Sequence, residues 1–268
     1  MAPSRVWEIS ELISAIMSCL TVEDDIRGFT RSRLDVQTLS VCARVSKRVS
    51  EHALDALYHE GAHLEVILGL LCPLSFIEYN NSYAFIEPIT AAHWKRFRHY
   101  SQRIRSLNLT TNSYYAFELT SKSAVDLLLS SPCGEAFLPC LRKLAWQQPT
   151  QDFSLFGDFQ LGPPYILLFL HDGLRELQLT YPVYDTDIVL DYLPIRSPNL
   201  ERLVLCRLDE NPEEVEVHQK ATLRAIQGLP LLRSLEISEN LVTPTLMSEI
   251  SMRPEIQVNL RGSDFRLH

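Results

Sequence analysis

The sequence predicts an α/β protein: a short helical module over residues 1–60, a helical linker or cap over 61–103, and an irregular solenoid of strand-and-return units over 104–268. Three observations predict this. Apolar residues in the first 60 positions recur at helical spacing. From residue 104 a short motif, apolar-x-x-apolar-x-apolar, recurs along the rest of the chain. Between its copies lie stretches that read as capped helices. A chain of 268 residues is long enough for a small domain and a larger one.

The first helix is predicted from Ile9, Leu12, Ile13, Ile16 and Leu20, one apolar stripe, with Glu8 and Glu11 in the first turns where the helix dipole favours them. "TVEDDIRGFTRSR" (21–33) is charged, contains Gly28, and reads as a loop. Val36, Leu39 and Ala43 start a second stripe; Val45, Val49, Ala53 and Leu57 make a third. Three helices this short cannot bury all their apolar faces against one another, so a second domain or a partner is expected. In the linker, "HWKRFRHYSQRIR" is basic and aromatic, but Trp94, Phe97 and Ile104 share one helical face. That predicts an amphipathic cap rather than a nucleic-acid site.

The repeating motif reads "IRSLNL" (104–109), "LRKLAW" (141–146), "LRELQL" (174–179), "LERLVL" (200–205) and "LRSLEI" (232–237), with a weaker "IQVNL" at 256–260. Between them, "TSKSAVDLLLSS" has Val125, Leu128 and Leu129 on one face, and "QKATLRAIQGLP" has a Gly-Pro stop. "TPTLMSEI" offers Thr243 as N-cap and Pro244 at N1. This is the signature of leucine-rich repeats, in which each unit contributes a strand that cannot bury its own face until neighbours stack on it. The spacing is longer and less even than the usual 20–29 residues. The extra length falls in insertions, "PTQDFSLFGDFQLGPP" and the acidic "DENPEEVEV", the latter read as solvated. The alternative is an ordinary α/β domain whose strands share the pattern.

Apolar content of 46% is that of a globular protein, and a net charge of −8 argues against general nucleic-acid binding. No apolar run approaches the ~18 residues of a membrane span. "MAPSRVWEIS" lacks a long apolar h-region, so no secretory signal is expected. Six cysteines (19, 42, 72, 133, 140 and 206) without a C-x-x-C suggest free thiols in a reducing compartment. There the sequons at Asn80 and Asn108 would carry no glycan.

The stretch "VWEISELISAIMSCL … DVQTLSVCARVSKRVSEHALDALYHE" resembles an F-box, matching it at Glu11, Leu12, Ile16, Leu20, Leu39, Val41, Cys42, Ala53, Leu54, Leu57 and Tyr58. The leucine-proline start of that motif is replaced by Glu8-Ile9-Ser10, the loop after the first helix is long, and Val49 stands where the family often has tryptophan. "AAHWKRFRHYSQRIRSLNL" looks like the segment that leads into the first repeat of fungal F-box proteins with C-terminal leucine-rich repeats. The resemblance to that family covers essentially the whole chain. It implies a substrate-receptor subunit of an SCF ubiquitin ligase, not itself an enzyme, with no cofactor and an intracellular location, cytoplasmic or nuclear. The implied partners are the Skp adaptor with its cullin complex and an unidentified target protein, with no nucleic acid and no membrane. The implied adaptor contacts are Leu12, Ile16, Leu20, Leu39, Val45, Leu57 and Tyr58. In the repeats, residues between the inward-pointing ones lie on the concave strand face. By that geometry the target contacts are Ser106, Asn108, Lys143, Ala145, Glu176, Gln178, Arg202, Val204, Ser234 and Glu236. A repeat scaffold that has lost adaptor docking is the alternative from another class.

One motif points elsewhere. His59, Glu60 and His63 spell H-E-x-x-H, the zinc-metalloprotease pattern, which needs one continuous helix carrying both imidazoles to a metal and Glu60 as general base. Tyr58 closes the third F-box helix and Gly61 follows as a helix-ending residue. A third ligand has no recognisable motif: Val66 replaces the metzincin glycine, and Glu78 and Glu87 stand alone. No metal is therefore expected here. Cys133 and Cys140 could form only half a metal site, and neither a nucleophile elbow nor a Gly-rich phosphate loop is present.

Overall fold

The computed structural model describes residues 9–26, 29–34, 36–61, 64–78, 82–109, 119–132, 134–147, 165–181, 186–207 and 212–261. The chain opens with α1 (Ser10–Ser18), a β1 (Thr21–Ile26)–β2 (Phe29–Leu34) hairpin, α2 (Val36–Cys42) and α3 (Lys47–His59). Ile13 and Met17, one turn apart on α1, pack with Leu39, Val49 and Ala53 in a small core. Ser10 Oγ lies 2.8 Å from His52 Nε2 and fastens α1 to α3. The charged segment expected as a loop is the antiparallel hairpin. Its backbone register sets Asp24 opposite Arg31, a strand pairing that single-strand periodicity cannot reveal.

After the two-residue strand β3 (Glu60–Gly61) come α4 (Leu64–Leu71), an antiparallel hairpin of β4 (Leu74–Ile77) and β5 (Ser82–Phe85), and α5 (Ala91–Ser101). Trp94, Phe97 and Ser101 are the buried face of α5, the amphipathic cap that the spacing predicts. From there strands and helices alternate: β6 (Ser106–Leu109), α6 (Ser121–Ser130), β7 (Lys143–Gln147), a 3-10 turn at Tyr165–Leu168, β8 (Glu176–Tyr181), α7 (Thr186–Arg196) and β9 (Arg202–Arg207). The chain continues through α8 (Pro212–Gln227), β10 (Ser234–Ser238), a 3-10 turn at Glu239–Leu241, α9 (Pro244–Ser251) and β11 (Gln257–Arg261).

Strands β3 and β6–β11 form one sheet in the order β11-β10-β9-β8-β7-β6-β3, every neighbouring pair parallel. The α/β class expected from the sequence holds. The register aligns one motif position across the sheet: Leu107, Leu144, Leu177, Leu203, Leu235 and Val258. The five leucines are buried in one core with Leu127, Leu190, Leu193, Ala225, Ile226, Leu246 and Ile250 from the helices. Among the described residues, helices thus cover one face of the sheet and leave the other open. No helix among the described residues is long and apolar enough to cross a membrane.

Two further expectations change. On α6 the buried side chains are Ala124 and Leu127, while Val125, Leu128 and Leu129 point outward. Thr120 caps that helix by accepting from Ser123 N (3.3 Å), which sets its phase. The acidic insertion is also partly helical, because α8 begins at Pro212. Proline is preorganised for a first helical turn. The cap of α9 is the expected one: Thr243 Oγ1 accepts from Leu246 N (3.0 Å), with Pro244 at N1.

The column of leucines sets a gradient of sensitivity. Leu203 is fully buried between strands on both sides, whereas Val258 lies on the edge strand and is only half-buried. Leu203→Ala is expected to cost about 2–5 kcal/mol and Val258→Ala about 1 kcal/mol, read as the shift in urea midpoint.

Candidate functional site

Two surfaces and the seam between them make up the candidate site. The first is an apolar edge on the helical module. With Ile13 and Met17 turned inward, α1 presents Leu12 (42% exposed) and Ile16 (39%) to solvent, together with Ile9. Val41 on α2 and Val45 in the turn after it are also exposed, Val45 at 68%. The small core closes without these five residues, so their exposure is not a packing requirement.

Four of the expected adaptor contacts are used otherwise. Leu39 is fully buried in the module's core, so it positions the edge rather than belonging to it. Leu57 is half-buried against that same core, as is Leu20. Tyr58 packs on the larger core, its ring 5.2 Å from that of Tyr100, and burial raises its hydroxyl pKa. Val45 was placed on the third helical stripe but precedes α3. Ile9 and Val41 join the edge; the one signal for Ile9 was its place on the α1 stripe.

The second surface is the open face of the sheet. In register across it run Ser106, Lys143, Glu176, Arg202, Ser234 and Gln257, and beside them Asn108, Ala145, Gln178, Val204, Glu236 and Asn259. All ten expected target positions lie on this face. Ala145 and Val204 are nonetheless buried, at 4% and 3% exposure. The charges pair across strands: Lys143 Nζ lies 3.0 Å from Glu176, and Glu236 takes Arg202 (3.6 Å) and Arg261. Arg261 also donates to Cys206 Sγ (3.2 Å), whose thiol pKa burial raises. Gln257, Asn259, Arg261 and Cys206 were missed; the weak sixth motif was the signal for the first two.

The seam joins the surfaces. Arg103, just past α5, is 7% exposed. Its guanidinium donates to the Glu51 carbonyl (3.1 Å) and to the carboxylates of Glu51 and Asp55 on α3, and its Nε donates to the His99 carbonyl (3.1 Å). The hydrogen bond from Arg103 holds the Glu51 carboxyl below the usual range. Beside it Arg105 N donates to His59 O (2.9 Å), and Glu60–Gly61 pairs with Ser106–Leu107.

That pairing bears on the H-E-x-x-H motif. Helix α3 ends at His59, Glu60 and Gly61 are strand, and α4 starts only at Leu64. The continuous helix needed by a zincin is interrupted at Glu60, so its geometry is not met; His63 lies outside the described residues. No family model, curated protein or solved structure matches the chain.

Arg103→Met removes the clamp and leaves Glu51 and Asp55 in water, since both are about half exposed. The loss is expected to be about 1–3 kcal/mol at pH 7 in urea denaturation. Glu51 titrates lower in the folded state. Its share of stability is therefore present above the unfolded carboxylate pKa of about 4.3 and disappears as pH falls through the lowered folded value. The gap between wild type and Arg103→Met should accordingly shrink below about pH 4.

Proposed function

We propose that this chain is a substrate-receptor subunit of an SCF-type ubiquitin ligase. Its apolar edge docks the Skp adaptor, its strand-and-return units stack as irregular leucine-rich repeats, and the open sheet face receives a target protein inside the cell. The observation that carries the reading is the apolar edge, Ile9, Leu12, Ile16, Val41 and Val45, left uncovered on a module whose core is complete without it. A solvent-facing apolar cluster of this kind is the signature of a protein interface. The open face supports the second half of the reading. It carries both charge signs, largely paired, which suits a protein partner better than a polyanion.

The scaffold alternative has its own support: Leu20, Leu39, Leu57 and Tyr58, four of the seven residues that the family resemblance assigns to docking, are engaged in internal packing. Val49 adds to it. It is buried in the module's core, so tryptophan there would overpack the site instead of extending a docking surface.

Ile16→Glu and Val45→Glu decide between the two. Both positions are exposed, so each change is expected to alter stability by no more than about 0.5 kcal/mol. Under the ligase reading each cuts capture of purified Skp adaptor at least tenfold, because a charge is buried in an apolar contact. A folded wild-type chain that captures no adaptor at micromolar concentration selects the scaffold. Val49→Trp is expected to destabilise the module by about 1–3 kcal/mol without tightening capture.

A further inference from the structure

The base of the β4–β5 hairpin carries a side-chain group that neither surface uses. Among the described residues, Cys72 Sγ, a Glu87 carboxylate oxygen and a His93 ring nitrogen lie within 4.8 Å of one another. They come from three elements: Cys72 follows α4, Glu87 follows β5, and His93 is in the first turn of α5. Ile86 N donates to Pro73 O (3.0 Å), continuing the hairpin register and bringing Cys72 and Glu87 opposite each other. Each is followed by a proline, Pro73 and Pro88, whose ring restricts the backbone. His93 is held by the capping box of α5: its N–H donates to Thr90 Oγ1 (3.4 Å), and its Nδ1 accepts from Thr90 N (3.2 Å). The Cys72 thiol, although fully buried, donates to the Glu87 carbonyl (3.4 Å), and His93 Nε2 lies 3.4 Å from Glu87 Oε1.

We propose that Cys72, Glu87 and His93 bind one zinc ion, with a fourth position open to water on the exposed Glu87 side. Thiolate, imidazole and carboxylate together are a zinc donor set, whereas magnesium and calcium take oxygen ligands. The separation of 3.4 Å between His93 Nε2 and Glu87 Oε1 already suits two ligands of one tetrahedral ion. With zinc–ligand lengths of about 2.0–2.3 Å, the sulfur, within 4.8 Å of the other two atoms, has to close by no more than roughly 1 Å. Binding converts the Cys72 thiol to thiolate and releases one proton to solvent. It also moves a second proton. Nδ1 now accepts from Thr90 N, which places the ring proton on Nε2. For Nε2 to ligate, that proton transfers to Nδ1, and the Thr90 N–H leaves His93 for water, which it reaches because Thr90 is exposed. Zinc loading therefore leaves a mark that hydrogen bonding alone would not. The ion would cross-link α4, the hairpin and α5.

The test is titration of the reduced full chain with Co2+, then Zn2+. The expected result is one equivalent of Co2+ with a thiolate-to-metal charge-transfer band, displaced by Zn2+, and a shifted Thr90 amide in the zinc form. Cys72→Ser should abolish the band. His93→Gln and Glu87→Gln should weaken binding at least tenfold, and His59→Ala should leave it unchanged. A folded wild-type chain with no band at micromolar metal overturns the proposal, as does a band that survives Cys72→Ser or a Thr90 amide that does not move. Should Cys72→Ser not fold, the two variants at the solvent-reached positions decide: unchanged affinity in both overturns it.

Discussion

The parallel ladder at the head of the sheet passes one hydrogen-bond register from strand to strand, and the leucine column behind it closes only because that register is kept. Arg142 N and Lys143 N both donate to Arg105 O. Arg175 N and Glu176 N donate to Arg142 O, Glu201 N and Arg202 N to Arg175 O, and Arg233 N and Ser234 N to Glu201 O. A slip of one residue at any step would turn every leucine beyond it onto the open face. The irregular lengths between motifs are tolerated because the register is set at the strand starts and not by the returns. Closing a longer return costs little, about 0.6 kcal/mol per doubling of length.

The helical module depends on the same ladder. His59 O accepts from Arg105 N, so the last residue of α3 occupies the ladder position that Arg105 fills for the next strand. Glu60–Gly61 then pairs as the first strand of the sheet. Arg103 stiffens this join from the other side by binding three acceptors on α3: the Glu51 carbonyl and the carboxylates of Glu51 and Asp55. The two cores are separate clusters, yet the backbone that leaves one is the edge of the other. The direction in which the apolar edge points relative to the open face is therefore set by a strand pairing and a buried guanidinium, both stiffer than a linker. Under the proposed function this join fixes where a target sits relative to the adaptor.

The sequence by itself determined the repeated strands β6–β11. Each motif carries leucine-type residues at the positions that turn inward, period two is unambiguous over such short stretches, and the residues between them fall on the opposite face without further information. Thr243-Pro244 and the Trp94–Phe97 face were legible for the same reason: capping and amphipathicity are local. The tertiary structure alone decided the rest. Leu12 and Ile16 share a stripe with Ile13, and only the approach of α3 selects Ile13 and Met17 as the buried pair. Val125, Leu128 and Leu129 satisfy a helical period as well as Ala124 and Leu127 do, and packing against the sheet chose the smaller set. The acidic and basic runs at 21–34 became a hairpin through partners that no window of one strand contains. His59, Glu60 and His63 kept the letters of a zinc helix, but Glu60 and Gly61 pair with Ser106 and Leu107, some 46 positions along the chain. The local signals of Tyr58 and Gly61 placed the end of the helix within a residue of where it falls, and the strand pairing at that sequence distance holds the chain out of the helix there.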